Sequence, residues 1–376
     1  MERVLQKDSQ IISLLRFPLT FLVVMQHCRG EIDMSPLWNR CTLTDLHAAV
    51  KVFFSGGLSL IAVPAFFFIS GYLFFRNVSH WDKGAYTGKL KKRIHSLLIP
   101  YLLWNILCIP LVCFSTYFEH LAQAPSLAVQ EYLGSIRWLH IFWDHTVATL
   151  DIPNLLGSHT LYVAPLLGTM WYVRDLIIMV VLSPLVWLFI KKTGKYGMVA
   201  FTLLFLLRIW PPITLNGISA YFFTLGAWFS LSRKSLIIPT IWRIPIFSIA
   251  ALCLGWFVVS GGNEQYIGWQ LTPLFLLTGV LTTFYLADSL VSHQPQIKMP
   301  AILSDSSFFV YALHIEFALP IGFFISKMVT LHATHPLVMT IRYLLTPTII
   351  YVLCVAVYAV MRRTVPRMLF LLTGNR

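Results

Sequence analysis

Apolar runs long enough to cross a lipid bilayer recur along this chain from end to end. They lie at approximately 10–27, 57–75, 95–114, 169–190, 196–211, 217–231, 244–260, 270–287, 306–325 and 338–361. A helix needs about 20 apolar residues to traverse the hydrocarbon core, with a working range of roughly 17 to 25. The composition agrees: 57% of the 376 residues are hydrophobic and 11% are charged, with a mean hydropathy of +0.73. Soluble domains carry roughly 25% charged residues, so this chain lacks the side chains to coat a water-facing surface. The expected fold is all-α: a single polytopic membrane domain over residues 1–376, with about ten transmembrane helices. The fifth and sixth runs meet at Trp210-Pro211-Pro212 and are expected to form a tight hairpin.

Orientation follows from the lysines and arginines between the runs. With the N-terminus inside, 19 of the 28 fall in inner segments and 5 in outer ones, the other four lying within or at the ends of spans. Both termini are therefore expected in the cytoplasm. The formal charge of +13 does not point to nucleic acid, because the basic residues sit in short clusters between apolar runs. Two outer loops are long, 28–56 and 115–168, and the aromatic stretch 136–147 suits a helix lying at the interface. The first run carries Arg16 and Pro18 and lacks a small-x-small cleavage site, so it is not a signal peptide. Cys28 and Cys41 flank one loop, and their spacing leaves open whether they pair. No cysteine or histidine spacing points to a metal.

Ionisable side chains within a bilayer are costly and mark candidate sites. Arg16 and His27 are eleven residues apart, about 16 Å along a helix and about 20° beyond three full turns, so they share a face. Arg16 can hold a phosphate by charge-assisted hydrogen bonds, or its long stem can snorkel to the interface. His27 can act as a general base or as a covalent acyl carrier, or it can simply end the span. Later in the chain, Tyr311 stands one turn before His314, and Glu316 follows. These residues can serve the site or form a polar clamp between helices.

These stretches carry a family resemblance. Arg16 through His27 resembles the R-x10-H signature of the acyltransferase 3 family. Pro64 through Tyr72 is similar to its P-x-F-F-x-x-S-G-[YF] element. Lys89-x-Lys91-Lys92-Arg93, leading into Pro100-Tyr101, looks like its K-x-[KR]-R…P-Y segment. Met170 through Leu176 resembles its W-[FY]-x-x-x-L motif, and Tyr311 through His314 its late Y-x-x-H. The five occur in the family's order. The resemblance implies an integral-membrane acyltransferase that uses an acyl-CoA, usually acetyl-CoA, to modify an exported or lipid-linked glycan. His27 would be the essential histidine, Arg16 its partner, and His314 a further catalytic candidate. The family's larger members append an extracytoplasmic domain, and none is expected here.

On that reading Arg16, Lys89, Lys92, Arg93, Ser70 and Tyr311 are expected to bind the CoA. Positive-inside topology alone also explains the basic run, and a packing notch also explains Ser70-Gly71. Trp171, Tyr172, Arg174 and Asp175 are expected near the acceptor glycan, although aromatic residues belt the outer interface anyway. Arg174 and Asp175, being adjacent, point about 100° apart on a helix and need not pair. His140-x3-Asp144 is a near-miss to soluble acyltransferase motifs and is expected to be surface structure. The expected function is transfer of an acyl group, acetyl above all, from cytoplasmic acyl-CoA to a glycan hydroxyl at a bacterial inner membrane. The rival reading is a secondary transporter or flippase, against which no internal repeat is visible.

Overall fold

The computed structural model describes residues 2–29, 42–76, 78, 81–120, 124–153, 159–261, 271–329 and 335–374. Cys41 lies outside them, and so does the side chain of Glu316. The first half of the chain forms α1 (Glu2–His27), α2 (Leu43–Lys51), α3 (Ala62–Phe75), α4 (Lys83–Arg93), α5 (Ile99–Glu119) and α6 (Pro125–Ser135). A two-stranded antiparallel hairpin, β1 (Thr146–Pro153) and β2 (His159–Ala164), precedes α7 (Trp171–Val181). Then come α8 (Ser183–Leu206), α9 (Gly217–Leu231), α10 (Thr240–Val259) and α11 (Leu271–His293). The chain closes with α12 (Ala301–Asp305), α13 (Ser307–Leu313), α14 (Leu319–Val329), α15 (Pro336–Thr364) and α16 (Pro366–Thr373). Among the described residues the regular structure is thus helical apart from one hairpin. Among the described residues six helical stretches are long and apolar enough to span a membrane: Gln6–His27, Leu43–Phe75, Lys83–Phe118, Thr240–Val259, Leu271–His293 and Pro336–Thr364.

Of the remaining apolar runs, 217–231 is the single short helix α9, and the others are broken or bent. The run 169–190 bends by 61° between α7 and α8, where Pro184 follows Ser183 and cannot donate the backbone bond that would continue the helix. A second break sits at Gly194, whose φ of 56° and ψ of −137° suit a residue without Cβ. Phe189 and Phe201 would be about 18 Å apart on a straight helix, yet their ring centroids are 5.9 Å apart, so α8 bends sharply back here. The run 306–325 divides into α13, a π-helical turn at His314–Ala318, and α14. Pro320 removes the N–H that an α-helix would direct back to residue 316, and the turn widens. The stretch 136–147 is not the expected interfacial helix. It forms a short 3-10 turn at Trp138–His140 and then enters β1.

The tightest seam in the bundle joins α3 to α9. A Cβ added at Gly71 would fall 2.0 Å from the Phe223 carbonyl oxygen, and one at Gly226 would fall 2.0 Å from the Phe68 carbonyl oxygen. The two backbones therefore touch through reciprocal glycines, the small-residue packing that drives association where lipid offers no hydrophobic force. Gly71 is the packing notch that sequence reading allowed.

Three polar clusters lock the rest. Asp8 of α1, 1% exposed, accepts from the Tyr72 hydroxyl at 2.6 Å and from Ser235 at 3.2 Å. Asp288 of α11 pairs with Lys7 at 2.5 Å and Arg243 at 3.0 Å. Arg174 and Asp175, 2% and 0% exposed, do pair, at 2.8 Å, because the guanidinium folds back around the first turn of α7. Arg174 also donates to the carbonyls of Trp143 (2.8 Å) and Thr214 (3.2 Å). Asp175 accepts from the Asn216 N–H (3.0 Å) and the Ser219 hydroxyl (2.7 Å). One ion pair thereby ties the loop at Trp143 and the start of α9 to α7.

Two outcomes follow for the purified protein in detergent. Gly71→Ala or Gly226→Ala should destabilise it by about 1–3 kcal/mol, the usual effect of overpacking, whereas Gly255→Ala, with open space around it, should not. Arg174→Ala should cost about 3–5 kcal/mol, because it leaves a buried carboxylate unpaired. Thermal unfolding checks both, and an unchanged midpoint in Gly71→Ala or Arg174→Ala would contradict the corresponding contact.

Candidate active site

A cavity of about 430 Å³ opens beside the α3–α9 seam. Its size lies within the range of small-molecule sites, roughly 300–1,000 Å³. Five residues singled out in the sequence line it together: Arg16, Ser70, Arg93, Tyr172 and Tyr311. They come from five separate stretches of chain, so only the fold assembles them.

α1 runs unbroken through Pro18 and presents Arg16 to the cavity about midway along. Arg16 is half-buried, and no described carboxylate lies within ion-pair distance of its guanidinium. Arg93 enters from the end of α4, with its guanidinium 5.8 Å from the Phe74 ring centre. The rest of the basic run does other things. Lys89 donates to the Phe74 carbonyl at 2.5 Å, satisfying one of the free carbonyls at the end of α3. Lys92 is exposed and does not line the cavity.

Ser70 and Tyr172 face each other across the wall, their hydroxyls 3.3 Å apart. Tyr172 packs 4.6 Å from Phe67 and edge-on to Tyr311 at 5.7 Å, so it belongs to the same wall as Arg16. Trp171 points elsewhere, its ring 6.2 Å from Phe67. Arg174 and Asp175 spend their hydrogen bonds on the protein, as described above. Of the four residues expected near the acceptor, only Tyr172 lines the cavity. Asp305 lines it too and was not singled out in the sequence. The polar run Ser304-Asp305-Ser306-Ser307, opening an otherwise apolar span, was the available signal.

Beyond Tyr311 the chain leads to the histidines. The Tyr311 hydroxyl donates to the Thr169 carbonyl, and its ring lies 6.4 Å from that of His314. His314 is wholly buried at the start of the π-helical turn. Its Nδ1 lies 2.9 Å from the Tyr311 carbonyl and 3.2 Å from that of Val310. His27, at the end of α1, is exposed, and its ring centroid is 5.2 Å from that of His314. Tyr311, on the wall of the arginine-lined cavity, thus neighbours His314, and His314 neighbours His27.

His140 and Asp144 do form a pair, at 2.7 Å, on the loop before β1 and away from the cavity. The hydrogen bond from His140 holds the Asp144 carboxyl below the usual carboxylate range.

No solved structure matches the chain. The succinoglycan biosynthesis protein ExoH of Rhizobium meliloti (strain 1021) is 24% identical to it over 381 residues, covering 98% of this chain and 92% of that protein. The match extends through every stretch that builds the cavity and the histidine pair. So does that of a family described as "Acyltransferase domain", which spans residues 10–361. The chain belongs to this acyltransferase 3 family.

Proposed function

We propose that this protein moves an acyl group, acetyl above all, from cytoplasmic acyl-CoA to a hydroxyl of a cell-surface or lipid-linked glycan. The observation that carries the reading is that Arg16 and Arg93 share one cavity, whose wall residue Tyr311 neighbours His314 and, through it, His27. Two guanidiniums at a cavity wall suit a phosphorylated ligand, and a neutral imidazole at the far end suits proton abstraction from an alcohol. The kinship with a succinoglycan biosynthesis protein supports a glycan as the acceptor.

In this reading both termini face the cytoplasm, and so does the mouth at Arg93. The nucleotide end of the acyl-CoA rests against Arg93 and Arg16, and its arm passes Ser70, Tyr172 and Tyr311. The thioester then lies near His27, which is open to the acceptor. His27 takes the hydroxyl proton as the C–O bond forms and the C–S bond breaks. The proton passes to the departing thiolate, leaving free CoA and an acyl ester. The alternative route, in which His27 first accepts the acyl group, uses the same placement.

Arg16→Ala should weaken binding of acetyl-CoA by about 10–150-fold, since a hydrogen bond to a charged group contributes about 1.5–3 kcal/mol. Arg16→Lys should recover part of it. Isothermal titration on purified protein checks this, and normal binding by Arg16→Ala would remove the phosphate role. His27→Ala should fold normally, because the side chain is exposed, and lose about 10²–10⁴-fold in transfer. His27→Gln should not rescue it, as an amide cannot take the proton. Labelled acetyl-CoA and mass analysis of surface glycans provide the readout, and an Ala variant that transfers at the wild-type rate would defeat the assignment. For orientation, a membrane-impermeant thiol reagent added to intact cells should label Leu139→Cys and miss Lys83→Cys. The opposite pattern would reverse the topology.

A further inference from the structure

The Nε2 of His314 is buried and has no hydrogen-bond partner among the described residues. The other ring nitrogen explains what kind of group it is. Nδ1 lies against two backbone carbonyls, which can only accept, so Nδ1 carries the proton and donates. In a neutral imidazole the second nitrogen is then a bare acceptor. A buried acceptor without a donor is an expensive feature that native proteins rarely tolerate.

The nearest ring able to supply a donor is His27. Its centroid lies 5.2 Å away, with the two planes inclined at 50°. An in-line N–H···N bond of about 2.9 Å places two imidazole centroids about 5 Å apart, so rotation of the His27 ring about its side-chain torsions can complete the bond. His314 cannot make a matching adjustment, because its Nδ1 is held and the site around it is closed.

We propose that His314 is a positioning residue: it accepts the N–H of His27 and so fixes the tautomer in which the opposite nitrogen of His27 is bare and faces the acceptor. The inference rests on the reading of His27 as the general base and deepens it. An exposed imidazole free of such a contact divides between two tautomers and many ring orientations. One of these tautomers directs a proton, and not a lone pair, at the incoming hydroxyl. The same contact serves after proton abstraction, since the imidazolium keeps an acceptor for its inner N–H while the outer proton goes to the thiolate. This is the orienting task that a buried carboxylate performs in hydrolase triads, carried out here by a neutral ring whose own tautomer is set by the backbone.

Two amide substitutions separate this role from a purely structural one. In His314→Gln the side-chain amide reaches the position of Nε2 and can accept from His27, but it gives up the bond to the Tyr311 carbonyl. In His314→Asn the amide sits at the position of Nδ1, keeps that bond, and falls short of His27. We expect His314→Asn to lower kcat by about 10–100-fold, the usual effect of losing an orienting partner, with KM for acetyl-CoA unchanged. His314→Gln should recover most of the loss. A structural clamp gives the opposite order, with Asn active and Gln impaired, and that result overturns the proposal.

A readout independent of catalysis is 15N-histidine NMR of the full chain. His27 should show one dominant neutral tautomer in the wild type and in His314→Gln, and a mixture in His314→Asn. An unchanged His27 spectrum in His314→Asn also overturns the proposal. Because the spectrum needs no turnover, it distinguishes failure of the positioning role from failure of His27 as the base, which the transfer rate of His27→Ala decides.

Discussion

The walls of the cavity depend on the place where two helix backbones touch. α3 and α9 meet through Gly71 and Gly226, each set against a carbonyl of the other helix, and no layer of side chains stands between them. A contact of this kind has no rotamers to adjust, so it fixes the rotation and height of both helices. Ser70 is the neighbour of Gly71 and therefore points about 100° away from the seam, into the cavity where Tyr172 meets it. The Ser-Gly pair does two jobs at once, one residue locking the helix and the next furnishing the wall.

Charge is divided within the fold between groups that are fully committed and groups that are held ready. Arg174 and Asp175 are buried and saturated with protein partners. The same holds at the other end for Asp8, with its tyrosine and serine donors, and for Asp288 between Lys7 and Arg243. Buried charges persist only when satisfied in this way. Arg16 stands apart from that pattern, half-buried at a cavity with no described carboxylate within ion-pair distance of it. A guanidinium kept this way in an apolar bundle is suited to an anion that arrives from outside.

Much of this was legible in the sequence because it is local. Run lengths and hydropathy pointed to a helical membrane protein, and the spacing from Arg16 to His27 singled out both ends of the candidate site. Ser70-Gly71 was visible as a small-residue step, and His314 as a charge-capable residue in an apolar run. What escaped was non-local or directional. Pro184, Gly194 and Pro320 were readable, but the 61° bend and the π-helical turn depend on what packs against them. The bond from Lys89 to the end of α3 could not be read from the spacing of the basic run, because the two lie 15 residues apart. Arg174 and Asp175 looked like separate groups because helix geometry places adjacent side chains apart, and a long guanidinium can fold back across that angle. Asp305 joined the site only through the turn between α12 and α13.

The shortness of α7 bears on how such a protein comes to exist. Eleven residues make about 16 Å of helix, half the thickness of the hydrocarbon core. Left in lipid alone, its free N–H and C=O ends would have nothing to bond. α1, α11 and α15 are long enough to settle in the bilayer as independent helices, but α7 becomes tolerable there only once Asn216, Ser219 and the loop at Trp143 are at hand to tie down its first turn. Tyr172, Leu176 and Val180, all carried on α7, complete the cavity. That wall of the cavity therefore forms only after α9 has arrived to anchor α7, and the sides carried by Asp305 and Tyr311 wait for stretches of chain later still.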